Sequence, residues 1–278
     1  MASILTRIML PTPPSLYVNY SSLITTAVIS FIGLSEAFGS HLGYSKFFNL
    51  GSQNQNYRVK LSSRIGMLLL YTPSFLAALA SLVLLLPHHK DARFLLLSLA
   101  LTIHYFKRDF EVLFIHKYSG GMALGSAILI SLSYFSSTAH LIYFHYKLYP
   151  TQLGKNQHDN QQPNIDMKYI GVLLFLIGIS GNFYHHFLLS KLRKNGEKEK
   201  SYKIPRGGLF GLVICPHYLF EIIEFVGFCF ISQTLYSFCF TIGTIFYLMG
   251  RSYATRKWYL SKFEDFPKEV KALVPFVF

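Results

Sequence analysis

The chain predicts an all-α integral membrane protein, a bundle of seven transmembrane helices forming a single domain over residues 1–278. Three observations carry that reading. Hydrophobic residues make up 51% of the 278 and charged residues only 14%, and the mean hydropathy is +0.34, a balance typical of multi-spanning proteins rather than soluble globules. Apolar runs close to the ~20 residues that cross a bilayer recur along the whole chain. Basic residues concentrate in a few segments beside those runs.

The candidate spans are 19–38, 66–87, 94–116, 121–146, 168–190, 207–231 and 233–250. The first follows a Pro-containing segment, Leu10 to Leu16, and continues at full spanning length, so it is expected to act as its own insertion signal rather than as a cleaved leader. After the second, Pro87 and His88-His89 read as a solvated turn. The third is weak by hydropathy, because it holds His104, Lys107, Arg108, Asp109 and Glu111. Between the fourth and fifth lies a polar, weakly charged loop at 148–166.

Seven of the 26 Lys and Arg fall in 191–206, six follow Gly250, and Lys46, Arg58, Lys60 and Arg64 lie between the first two spans. The positive-inside rule puts these segments in the cytosol, which with seven helices predicts a lumenal N-terminus and a cytosolic C-terminus. The net charge of +13 is thereby read as a topology signal with affinity for anionic membrane lipids. No aromatic-basic module or recognition helix accompanies it, so no nucleic acid is expected as a partner. Cys215, Cys229 and Cys239 are odd in number and lack CxxC spacing, as expected of thiols packed as small hydrophobes.

Ionisable residues inside spans are expensive in lipid and face a bundle interior or a wet cavity. His104, Arg108 and Glu111 share one face of the third span; Asn182, His186 and Arg193 form a stripe on the fifth; His217, Glu221 and Glu224 form one on the sixth. Neutral residues would pack more cheaply, so the three stripes are expected to converge on one cavity near the cytosolic face. The histidines do not form the repeated boxes that fill two iron spheres, and no metal is expected. Gly207-Gly208 is too short for a dinucleotide-binding GxGxxG loop. Charged and aromatic clusters from Ser201 to Phe278 sit tight against spanning helices, a placement that suits a lipid-like substrate and an anionic, water-soluble cofactor.

Several strings resemble the steroid 5α-reductase family, which is related to the polyprenol reductases and trans-2-enoyl-CoA reductases. They are Gly181-Asn182, LRKNGE at 192–197, YKIPRGGLF at 202–210, CPHYLFEIIE at 215–224, WYLSKFEDFPK at 258–268, KALVPFVF at 271–278 and, upstream, HYFKR at 104–108. The resemblance implies NADPH-dependent reduction of a conjugated double bond in a lipid substrate, with a 3-oxo-Δ4 steroid as the favoured class. Residues 1–120 would form the substrate side and 121–278 the cofactor-binding region, in the endoplasmic reticulum membrane, with no obligate protein partner. Tyr105 would stabilise the enolate, while Arg108, Asn182, Arg193, Tyr202, His217, Glu221, Arg251 and Tyr259 match cofactor positions.

The chain departs from the pattern where Tyr71 stands in place of a catalytic glutamate, and at His186, His217 and Thr255. Tyr71 is therefore a second catalytic candidate, giving a two-tyrosine site, and the altered clamp keeps open a trans-2-enoyl-CoA, a polyprenol or a catalytically silent membrane relative.

Overall fold

The computed structural model describes residues 7–10, 15–44, 47, 59–88, 91–118, 120–148, 163, 165–192 and 202–278. Seven long helices run through them: α1 Leu16–Ala37, α2 Ser63–Ala80, α3 Ala92–Phe110, α4 Leu124–Leu148, α5 Lys168–Lys191, α6 Pro216–Ser232 and α7 Leu235–Lys262. The chain is thus an all-α membrane protein. Two short strands, β1 Lys60–Ser62 and β2 Gly121–Ala123, pair antiparallel with Leu61 opposite Met122 and lead into α2 and α4.

Four segments are long and apolar enough to cross a membrane by length and composition: Leu16–Ala37, Ser63–His88, Leu124–Tyr146 and Lys168–Lys191. The remaining helices have specific reasons to fall short. Helix α3 carries the buried or half-buried polar residues His104, Lys107 and Arg108, α6 has only 17 residues, and α7 runs on into Arg251, Arg256 and Lys257.

Two boundaries differ from the sequence expectation. The sixth helix starts at Pro216 rather than 207, because Gly207 and Gly208 take φ of +87° and +52°, a left-handed turn that glycine accommodates. They lead into a short 3-10 turn, Gly208–Gly211, and Pro216 then occupies the first helical position, where its missing N–H costs nothing. The seventh helix continues twelve residues past Gly250 to Lys262. That extension carries the polar half of α7 to the site.

Helix α1 lies along α7, and α5 along α6. The first pair touches backbone to backbone: a Cβ at Gly250 would fall 1.9 Å from the Gly33 carbonyl oxygen. In the second, a Cβ at Gly178 would fall 2.4 Å from the Glu224 nitrogen, so any larger residue would push α6 and its carboxylates away.

Local distortions aim the site residues. Pro73 inside α2 has no N–H for the Leu69 carbonyl, and the Ser131 hydroxyl of α4 donates to that oxygen at 2.7 Å. This side-chain repair, needed where water is scarce, joins α2 to α4 half a turn from Tyr71. At the end of α3 the helix widens into a π turn, Glu111–Ile115, closed by His116 N–H donating to the Glu111 carbonyl at 2.7 Å. Such turns break the regular face of a helix, and here Glu111 meets α5.

The C-terminal tail folds back onto the entrance of α6. Ile214 and Cys215 N–H groups donate to the carbonyls of Lys271 and Ala272 at 2.9 and 3.2 Å, and Lys271 N–H returns a bond to Leu212. Cys215, Tyr259, Phe266 and Val270 form a small core of their own there.

Candidate active site

A cavity of about 310 Å3 opens at one end of the bundle, a size within the range of small-molecule sites. It lies where α1, α3, α5 and α7 end and α2, α4 and α6 begin. Among the described residues, the basic positions Lys60, Arg64, Lys191, Lys203 and Arg206 fall at this same end.

The cavity wall mixes phenols with charged groups. From α2 comes Tyr71, from α3 Arg108, from α4 Tyr134, and from α5 His186. His217, Tyr218 and Glu221 project from the first turns of α6, Tyr247, Thr255 and Tyr259 from α7, and Tyr202 and Lys203 from the segment before α6. Tyr44, just beyond α1, completes it, its hydroxyl 2.7 Å from that of Tyr247. Burial raises the Tyr44 phenol above its ordinary value while Arg251 pulls it the other way; Tyr44 is a protonated group at neutral pH.

The described members of the three polar stripes meet one another, and of them Arg108, His186, His217 and Glu221 line the cavity. His104 Nδ1 and Glu224 Oε1 lie 2.7 Å apart, and His186 Nδ1 and Glu111 Oε2 2.9 Å apart. Asn182 donates its Nδ2–H to the His217 carbonyl at 2.8 Å and accepts from Lys107. Arg108 donates an Nη2–H to the Tyr71 hydroxyl oxygen, its guanidinium carbon 4.6 Å from the ring centre. Among these groups Glu221 Oε2 and Glu224 Oε2 are both buried with no hydrogen-bond partner among the described residues, and of the two only Glu221 lines the cavity. An orphaned buried carboxylate oxygen is costly, and at the cavity wall it presents an acceptor to whatever enters.

Of the residues singled out in the sequence, Tyr71, Arg108, Tyr202, His217, Glu221 and Tyr259 line the cavity together. Asn182 lies behind His217, holding its backbone. Arg251 is also one layer back: its Nη1 bonds both Glu36 oxygens at 2.7 Å, and its guanidinium stacks between Tyr44 and Phe47 with centroid distances of 4.2 and 4.1 Å. Tyr105 is buried at 2% exposure, its hydroxyl oxygen accepting from Thr138 Oγ1 at 3.0 Å, and it is outside the cavity wall. Arg193 falls outside the described residues. The departures His186 and Thr255 both reach the cavity.

Sequence reasoning passed over Glu36, Tyr44, Tyr134 and Tyr247. Glu36 carried a usable signal, being the one acidic residue in an otherwise uncharged spanning helix. It is fully buried, and besides Arg251 it meets His41 Nδ1 at 2.7 Å and the Leu42 N–H at 2.9 Å.

Glu111, His116 and His186 place their donor atoms within 4.8 Å of one another, a spacing able to hold an ion. The Glu111 carboxylate already faces Lys107 Nζ at 3.0 Å and Arg108 Nη1 at 4.0 Å, so its charge is met by protein cations.

A helical membrane bundle thus carries a phenol- and cation-lined cavity at one end. Residues 126–278 match the family model described as 3-oxo-5-alpha-steroid 4-dehydrogenase, more than half of the chain, and the chain belongs to that family. It is 34% identical over 192 residues to the steroid 5-alpha-reductase DET2 of Gossypium hirsutum, covering 69% of this chain and 73% of the relative. Against the human 3-oxo-5-alpha-steroid 4-dehydrogenase 2 it is 30% identical, covering 63% and 65%. It is also similar to the very-long-chain enoyl-CoA reductase of Dictyostelium discoideum, 33% identical over 63% of this chain and 55% of that one.

Proposed function

We propose that the chain is an NADPH-dependent reductase of a conjugated carbon-carbon double bond in a lipid substrate, with a 3-oxo-Δ4 steroid as the favoured class. The observation that carries this is the pairing of Tyr71 with Arg108 in the cavity wall. The guanidinium occupies the phenol oxygen and leaves the phenol proton to donate, and a donor of that kind stabilises charge that appears on a carbonyl oxygen in the transition state. Family membership supports the same class of reaction.

The residues present fit an anionic dinucleotide. Arg108, Lys117, Lys203 and the histidines 186 and 217 bring cationic or hydrogen-bonding groups to one cavity. The start of α6, where Cys215 supplies no side-chain cap, turns the positive end of a helix dipole toward it. Glu221, with its orphaned oxygen, suits a carboxamide or ribose hydroxyl. Asn182 and Arg251 serve the same site from one layer behind, and Arg193 is assigned to the phosphates by its place in the basic segment. When bound, a reduced nicotinamide supplies the hydride. It adds to the β-carbon, the π electrons move onto the carbonyl oxygen, and the α-carbon takes a proton from water, while Tyr71 keeps its own.

This end of the bundle faces the cytosol, in the membrane of the endoplasmic reticulum. A second reading, reduction of a trans-2-enoyl thioester, is favoured by Tyr71 in place of the family's glutamate and by the enoyl-CoA reductase among the relatives. Purified protein incubated with NADPH and a panel of progesterone-like enones, enoyl-CoAs and polyprenols separates these readings. Oxidation of NADPH with formation of a saturated steroid ketone is the expected result; neither oxidation with any of them nor binding of NADPH would overturn both.

A further inference from the structure

We propose that Tyr134 is the second hydrogen-bond donor to the substrate's carbonyl oxygen, beside Tyr71. The proposal deepens the reductase reading and rests on it. Tyr134 stands on α4 in the cavity wall, its ring centroid 5.7 Å from that of Tyr71 and tilted by 32°. It makes ring contacts with Tyr71 and Tyr105, but its hydroxyl has no hydrogen bond to any described residue. A phenol facing a cavity with an unspent proton is a group waiting for an acceptor.

Tyr105 stands behind that wall in this arrangement. Thr138, one turn beyond Tyr134, donates to the Tyr105 oxygen at 3.0 Å, and the Tyr105 ring lies behind that of Tyr134 at 6.1 Å between centroids. Helix α4 thereby holds the Tyr105 hydroxyl in the core and presents another in its place. Tyr71 and Tyr134 front one cavity from adjoining helices tied by the Ser131 bond to Leu69. A single oxygen between them would receive two phenol protons, a neutral two-donor oxyanion hole. Both phenols keep their protons throughout.

Tyr134→Phe keeps the ring and its contacts and removes only the hydroxyl. In the full-length protein it is expected to lower kcat by tenfold or more while leaving NADPH affinity, read by quenching of protein fluorescence, and the melting temperature unchanged. A steroid bearing a carboxylate at carbon 3, a stable mimic of the enolate, should bind the variant more weakly by a similar factor. Tyr71→Phe should act in the same way, and Tyr105→Phe should have the smaller effect of the three. Unchanged kcat and mimic affinity in Tyr134→Phe would overturn the proposal, as would a loss confined to NADPH affinity. If the wild-type protein binds NADPH but reduces none of the enones, binding of the mimic decides. If it binds neither, the reductase reading itself falls and takes this proposal with it.

Discussion

The two ends of the bundle bury comparable polar groups and treat them in opposite ways. At the end away from the cavity, Arg93 is 5% exposed, and its guanidinium donates to the Ile231 carbonyl at 2.8 Å, to Gln233 Oε1 at 2.7 Å and to Asp166 Oδ1 at 2.8 Å. Gln233, in a left-handed conformation that ends α6, also accepts from the Met167 N–H at 2.8 Å and donates to the Ile165 carbonyl at 2.9 Å. Each of those donors and acceptors has a partner within the protein. At the cavity end, Glu221 Oε2, the Tyr134 hydroxyl and the Tyr71 proton have none among the described residues. Closed networks hold helices together, whereas unfinished ones are kept at a cost in stability because a ligand completes them.

The sharpest way to break this contrast is to delete one group from each end. Arg93→Met removes the hub of the closed network and leaves Asp166 and Gln233 without their shared donor. It should cost about 1 to 3 kcal/mol through the buried acceptors that lose their donor, seen as a fall in melting temperature in detergent, with NADPH affinity per folded molecule unchanged. Glu221→Met should do the reverse. Removing a buried carboxylate with one unpartnered oxygen is expected to leave the melting temperature equal or higher, while NADPH affinity falls about tenfold, roughly 1.4 kcal/mol. A drop in melting temperature with intact cofactor affinity would make Glu221 a structural residue and erase the distinction between the ends.

How far the site was legible in the sequence follows the same division. The motif strings of the C-terminal segment could be read because they fold onto one another: the stretch before α6, the start of α6, Trp258–Phe263 and the tail from Phe266 share one small core. The stripes on α3, α5 and α6 were legible because charge in a spanning helix has few places to go. What could not be read was depth. Arg251 and Glu221 are both buried charges on helices of the bundle, yet one is sealed behind Tyr44 by Glu36 and the other meets the cavity, a difference fixed by a partner 215 residues away. Tyr134 is equally silent in sequence, since an aromatic residue in a spanning helix reads the same whether it faces lipid or a neighbouring helix. The start of α6 was misplaced because Leu209 to Ile214 is apolar enough to extend the helix, whereas the positive φ of Gly207 and Gly208 and the proline at 216 set the start later.

The smallest expected effect lies at the closed end and tests whether its charges matter as charges. Asp91 caps α3, its carboxylate accepting from the N–H groups of Arg93 and Phe94 at 3.3 and 3.1 Å and lying 2.9 Å from His145 Nε2. Burial pushes its carboxyl pKa up, but the His145 bond and charge and the two backbone donors outweigh it and hold the value down at about 2. Because the folded value lies below the ordinary ~3.9 of an unfolded aspartate, the carboxylate contributes stability that is present above pH 4 and is lost as pH falls through 2. Asp91→Asn keeps a competent N-cap and removes only the charge, so at neutral pH it should cost about 0.5 kcal/mol, reduced by the partial exposure of the site. Melting curves of the two proteins should then draw together as the pH is lowered from 4 to 2. A gap that stayed constant over that range would mean that the cap acts by shape and hydrogen bonding alone, and that the closed end is held by geometry rather than by ionic attraction.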